Sequence, residues 1–185
     1  MQKHQKILSF LLTFLYKCDI IILDNCVKYL WEVLPLEIAI IADDSKKELI
    51  TQFCIAYCGI LSNHSICATS TTGAYISEAT GLKIEKLLSG AHGGEQQIAS
   101  RISYDEIDIL FYFRANTPQS NSIYGESSST EQTLLRLCDV HNVLLATNIA
   151  TAETIVSALA RGDLDYRNFI NPRSEYNLKK KKKNS

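Results

Sequence analysis

Five short β-type runs, each followed by a polar turn and a helical stretch, constrain this chain more than any other feature. Leu36–Ala42 (Leu-Glu-Ile-Ala-Ile-Ile-Ala) is almost wholly apolar, and Ile107–Phe113 is apolar apart from Asp108. Runs of that kind read as strands buried on both faces, the pattern of a parallel sheet. His64–Ala68, a stretch within Leu82–Leu88, and Val143–Ala146 supply three more strands. Helical patterns lie between and after them, at Lys46–Leu61, Ala74–Thr80, Glu95–Ser103, Leu134–Val140 and Thr151–Ala160, with Gly81 as a C-terminal stop for the second. The alternation predicts right-handed crossovers and an α/β fold: a three-layer, doubly wound sandwich around a central, mainly parallel five-stranded sheet. Ligands in such sheets bind beyond the carboxyl ends of the strands, where Asp43, Thr69, Ser89, Arg114 and Thr147 fall.

Two of the strand-to-helix turns have unusual composition. Ala68-Thr69-Ser70-Thr71-Thr72-Gly73 places hydroxyls and a glycine where a strand hands over to a helix. The first N–H groups of a helix lack intrahelical partners and carry partial positive charge, so such a turn suits a phosphate; an ordinary hydroxyl N-cap fits the same residues. The second turn is Ser89-Gly90-Ala91-His92-Gly93-Gly94-Glu95-Gln96-Gln97. Its glycines let the backbone approach a ligand, and Glu95 stands where they end. Two such turns and one carboxylate make a candidate phosphosugar site. After the first strand, Asp43-Asp44-Ser45 supply cap chemistry, and Lys47 opposes the helix dipole in the first turn. Either an anion in the cleft or plain solvent exposure accounts for that lysine.

Hydrophobic residues make up 46% of the chain, enough for a real core, and 185 residues suit one domain with extensions. Removing the five charges of Lys179–Lys183 from the net −1 leaves −6 on the remainder, so the body is acidic and offers no electrostatic case for nucleic acid. The six cysteines form no CxxC pair and no ligand-spaced cluster with histidine. They read as reduced, buried side chains of a cytoplasmic protein, with no metal site.

The expected organisation is a helical extension over residues 1–33, the α/β domain over 34–172, and a basic disordered tail over 173–185. Ile7, Leu8, Leu11, Leu12 and Leu15 fit a helix stripe, but the apolar run from Ile7 to Tyr16 is too short to span a bilayer. Asn116–Thr130, rich in Ser, Thr, Asn and Gln, is a long loop of the kind that is functional or disordered.

Taken together, Ala-Thr-Ser-Thr-Thr-Gly, Ser-Gly-Ala-His-Gly-Gly-Glu-Gln-Gln, and Ala-Thr-Asn-Ile-Ala-Thr-Ala, set between Leu36 and Val156, resemble methylglyoxal synthase. The resemblance implies a cofactor-free lyase, assembled as a homohexamer, that converts dihydroxyacetone phosphate to methylglyoxal and inorganic phosphate. It implies phosphate contacts from Lys47, Thr69, Ser70, Thr71, Thr72, Ser89 and Gly90, with Ser70 where the family usually has glycine. The family's catalytic aspartate falls on Glu95, and its His-Asp pair after the first strand falls on Asp43-Asp44, so Asp43 stands in the substrate site and Asp44 beside Glu95 in the chemistry.

The chain departs from that pattern in its proton-transfer groups. Glu95 is one methylene longer than aspartate, a displacement of roughly an ångström that can cost on the order of 100-fold. Ala115 holds the position of a family aspartate, and the following loop, about five residues longer by that resemblance, contains neither histidine nor aspartate. His92, three residues before Glu95, is a candidate replacement or an ordinary surface residue; Tyr124 and Glu126 are weaker candidates. Two other readings stay open: a non-catalytic phosphate- or nucleotide-sensing domain of the same fold, and an inactive descendant of the enzyme.

Overall fold

The computed structural model describes residues 35–115 and 129–163. The expected N-terminal helical extension, the basic tail and most of the loop after the fourth strand lie outside the described residues. Five strands form one sheet: β1 (Glu37–Ala42), β2 (Ser65–Thr69), β3 (Ile84–Leu87), β4 (Ile109–Phe113) and β5 (Leu144–Ala146). Their order is β3-β2-β1-β4-β5, and all four pairings are parallel. The mainly parallel sheet expected from the apolar runs is therefore parallel throughout. The chain winds outward from β1 through β2 to β3, then returns to the other side of β1 with β4, so the switch point lies between β1 and β4.

Helices cover both faces, and the alternation along β1 divides the core between them. Ile38, Ile40 and Ala42 point into one cluster, with Ile50, Phe53 and Cys54 from α1 (Lys47–Ala56), Leu61 from the short α2 (Cys58–Leu61), Ile76 from α3 (Ser70–Thr80), and Ile155, Val156 and Leu159 from α6 (Ile149–Arg161). Ala39 and Ile41 point into the other, with Ile98 and Ile102 from α4 (Gly94–Ser103) and Leu134 and Cys138 from α5 (Ser129–His141). A residue period of two in the strand thus feeds two helical layers. Cys54, Cys67 and Cys138 are buried and free, and burial pushes their thiols up to about 12, so they pack as small apolar groups.

Element boundaries differ from the sequence reading where hydroxyl and aromatic residues intervene. The helix expected over Lys46–Leu61 is broken at Tyr57 (φ −109°, ψ 17°), whose ring packs 4.9 Å from Phe53 and whose hydroxyl donates to Glu153 of α6 at 3.3 Å. Helix α3 begins four residues before Ala74, because Thr69 is its extended N-cap and Ser70–Gly73 form its first turn. Helix α5 begins at Ser129, five residues before Leu134. Gly81 ends α3 in the left-handed conformation (φ 72°), as its position predicts.

Candidate active site at the carboxyl end of the sheet

The turns after β1, β2 and β3, with Arg114 just after β4, lie along the carboxyl edge of the sheet. After β1, the Asp43 backbone N–H donates to the Phe113 carbonyl at 2.9 Å, joining the carboxyl ends of β1 and β4. The Asp43 carboxylate accepts from the Ser45 backbone N–H at 3.0 Å and the Ser45 hydroxyl at 2.7 Å. These bonds, the hydroxyl first, hold its carboxyl below the usual carboxylate range. One turn on, the Lys47 ammonium lies 2.5 Å from the Asp44 carboxylate and 5.5 Å from the centre of the Tyr75 ring. The Lys47 side chain is only 12% exposed whereas Asp44 is 90% exposed, so the ammonium is held in a cleft and its partner is free to swing into water.

The β2–α3 turn is dry and internally bonded. The Thr69 hydroxyl donates to that of Thr72 at 3.1 Å, and the Thr72 hydroxyl donates to the Ala42 carbonyl at 3.4 Å. Both threonines are buried. Their hydroxyls therefore brace the turn against the end of β1, and no side chain caps the N-terminus of α3. Thr71 is exposed and Ser70 half-exposed, so the first turn of an eleven-residue helix presents a hydroxyl-rich surface.

The β3–α4 turn is built on two glycines with different tasks. Gly93 adopts φ 95°, a left-handed conformation that side chains resist. Gly94 is packed so tightly that a Cβ there would lie 2.0 Å from the Leu88 carbonyl oxygen. The Ser89 carbonyl accepts from the N–H groups of both His92 and Gly94 at 2.9 Å, and the Ser89 hydroxyl bonds to Nδ1 of His92 at 2.6 Å. Leu88 laces this turn to its neighbour: its N–H donates to the Gln97 side chain at 2.8 Å, and its carbonyl accepts from the Ser70 N–H at 3.4 Å.

Glu95 follows in the first turn of α4 and is half-buried. Burial first, and then the nearby Glu131 carboxylate, raise its carboxyl above the usual range. Glu131 in turn forms an ion pair with Arg114 at the end of β4. Tyr112 lies beneath them: burial first, then the charges of Glu95 and Glu131, push its phenol up, and the Arg114 guanidinium sits 5.9 Å from its ring centre. The site thus contains one acid that gives up its proton early, Asp43, and one that keeps it late, Glu95.

The structure brings the predicted residues into three local groups: Asp44 with Lys47, Thr69 with Thr72, and Ser89 with His92. His92 is exposed, as a surface residue would be, yet it is bonded to a predicted site residue. Tyr124 and Glu126 lie outside the described residues. Sequence reasoning gave no role of their own to Glu131, Gln97, Tyr75 and Tyr112. A sharper reading of Ser129-Thr130-Glu131 as hydroxyls followed by an acid, a helix-start pattern, brings Glu131 into view.

Comparison with known proteins agrees with this architecture. The MGS-like domain family matches residues 53–147. A methylglyoxal synthase of Caldicellulosiruptor saccharolyticus is 50% identical over 142 residues, covering 77% of this chain and 97% of that protein. One of Oceanobacillus iheyensis is 46% identical over 140 residues, covering 76% and 96%. The crystal structure of methylglyoxal synthase from Elizabethkingia anophelis NUHP1 superposes with a TM-score of 0.57 at 33% identity, over 66% of this chain and 78% of that one. A match of this length and identity makes the chain a member of the methylglyoxal synthase family.

Proposed function

We propose that the chain is a carbon–oxygen lyase that converts dihydroxyacetone phosphate to methylglyoxal and inorganic phosphate. One observation carries the assignment of roles: a half-buried acid with raised proton affinity, Glu95, stands in a turn that Leu88 ties directly to the hydroxyl-rich N-terminus of α3. The phosphate dianion sits on that helix end and on the neighbouring glycine turn, held by Ser70 and Thr71, by backbone N–H groups of the Thr69–Thr72 turn, by Ser89 and Gly90, and by the Lys47 ammonium. Asp44 yields Lys47 to the incoming phosphate, and Asp43, fixed by Ser45, borders the substrate.

Glu95 removes a proton from the carbon beside the carbonyl, breaking that C–H bond and leaving an enediolate. The oxyanion then collapses to a carbonyl, the enediolate double bond shifts onto the phosphate-bearing carbon as its C–O bond breaks, and the leaving phosphate takes up a proton. The departing dianion stays paired with the charges that bound it, and the enol product takes up a proton to become methylglyoxal. A base with raised proton affinity suits the first step, since proton transfer is most efficient when the acid's range approaches the working pH. Asp44, freed from Lys47, lies on the same rim as a second proton carrier.

The full chain is expected to release equal amounts of phosphate and methylglyoxal from dihydroxyacetone phosphate. Glu95→Gln is expected to lower kcat about 10³-fold, the middle of the range for loss of a general base, while leaving phosphate binding intact. Phosphate binding by a folded wild-type sample with no turnover above the spontaneous elimination would favour a sensing domain instead. The same reading makes the protein a cytoplasmic homohexamer, which sedimentation of the full chain tests.

A further inference from the structure

We propose that Glu131, clamped by Arg114, is a positioning residue that acts on the reaction through Glu95. Three observations outside the assigned site meet here. Helix α5 packs against α4, and the two first turns are pinned together by the Gln96 amide, which donates to the Thr130 hydroxyl at 3.3 Å. Glu131 is the next residue, and its side chain is only 16% exposed although it is a carboxylate in a first helical turn. Arg114, 40% exposed at the end of β4, pairs with it and lies against the Tyr112 ring.

That placement is not the usual form of a surface ion pair. Glu95 and Glu131, both half-buried, lie close enough to each other and to the Tyr112 phenol for their charges to act on one another, and Arg114 pairs with Glu131. Like charges brought together in a poorly solvated place favour the protonated form of one of them. Glu131 is the member paired with the arginine, and Glu95 is the one whose proton affinity is raised. Among the described residues, the charged or titratable groups that act on Glu95 or on its partners include Glu131 from α5, Tyr112 from β4 and Arg114 just after it; His92, in the same turn as Glu95, has its ring bonded to Ser89. The effect of Glu131 on chemistry passes through the strength and orientation of the Glu95 base.

The inference rests on the lyase reading for its kinetic arm alone. The direct arm is a carboxyl-carbon NMR titration of the full chain, with Glu95 assigned by loss of its signal in Glu95→Gln. Glu131→Gln is expected to move the Glu95 midpoint to lower pH, Arg114→Gln to move it to higher pH, and Glu131→Asp to restore most of the wild-type value. In turnover of dihydroxyacetone phosphate, the acid limb of the kcat/KM profile follows in the same directions. In Glu131→Gln, kcat falls about 10-fold, a fraction of what a general base contributes, with KM within about twofold. A Glu95 midpoint that stays in place in folded Glu131→Gln overturns the inference, whether or not the enzyme turns over. A moved midpoint in a chain with no turnover sustains the coupling and removes the lyase reading.

Discussion

At the amino-terminal end of the sheet, Arg101 bonds to Glu85 at 2.6 Å and lies 3.9 Å from both Glu37 and Glu106. Asp108 accepts from the Glu37 N–H at 2.8 Å, His64 Nδ1 accepts from the Leu36 N–H at 3.3 Å, and His141 bonds to Asp105 at 2.7 Å. Every polar group in that set meets its complement and ties one strand or helix to another. At the carboxyl end the same residue types stand differently: Glu95 is beside Glu131, the Lys47 ammonium is bridged to a carboxylate almost wholly in water, and the first turn of α3 has no side-chain cap. Complementary charge at one end consolidates the fold. Like charge and an uncapped helix start at the other cost stability locally and leave capacity for a ligand. On the proposed reading, one sheet separates its structural and its chemical polar groups along its own axis.

The contrast can be broken or sharpened by substitution. The largest stability effect is expected at the carboxyl end, where geometry is tightest. Gly94→Ala puts a methyl group on the Leu88 carbonyl and is expected to cost about 3 kcal/mol by denaturant titration, with activity falling alongside. Next, Lys47→Ala removes a sequestered ammonium and should raise KM for dihydroxyacetone phosphate about 10- to 100-fold, with little change in melting temperature. Smaller still, Arg101→Met leaves three acids without their shared partner and should cost about 1 kcal/mol, with kcat unchanged within about twofold. If Arg101→Met instead abolished turnover, the division between the two ends would fail.

The smallest effect is one of sign. Burial and Glu131 raise the proton affinity of Glu95 in the folded state, so folding retains that proton to higher pH. Its contribution is undiminished below the usual glutamate range and declines as pH rises through the raised value. Asp43 is held low by Ser45, so its contribution is present above the usual aspartate range and is lost as pH falls through the lowered value. The melting temperature of wild type minus that of Glu95→Gln should therefore decline with pH between about 3 and 8, while wild type minus Asp43→Asn should rise. The Asp43 slope will be shallow because that carboxylate is only partly buried.

Much of this was legible in the chain itself. Apolar runs located β1 and β4 because those central strands are buried on both faces and must be apolar to be so; shorter runs marked the other three, and the Thr69–Gly73 and Ser89–Glu95 turns stood out because hydroxyls and glycines clustered at strand ends have few other uses. The starts of α3 and α5 were misjudged for a related reason. Ser70–Gly73 and Ser129–Thr133 are polar or small, and residue pattern alone does not separate a capped first turn from a loop. The inward burial of Thr72, the bond from Leu88 to Gln97 and the approach of Glu131 to Glu95 depend on which turns become neighbours in space. That adjacency comes from the order β3-β2-β1-β4-β5, which local residue pattern does not specify.

Leu88 has a mechanical consequence. A single residue fastens the start of α3 through its carbonyl and the first turns of α4 through its N–H, so the two turns cannot shift independently by much. On the proposed reading, a phosphate that settled onto one would adjust the aim of the acid on the other. Grip and proton abstraction would then work from a common fulcrum, and damage to either would be felt in both.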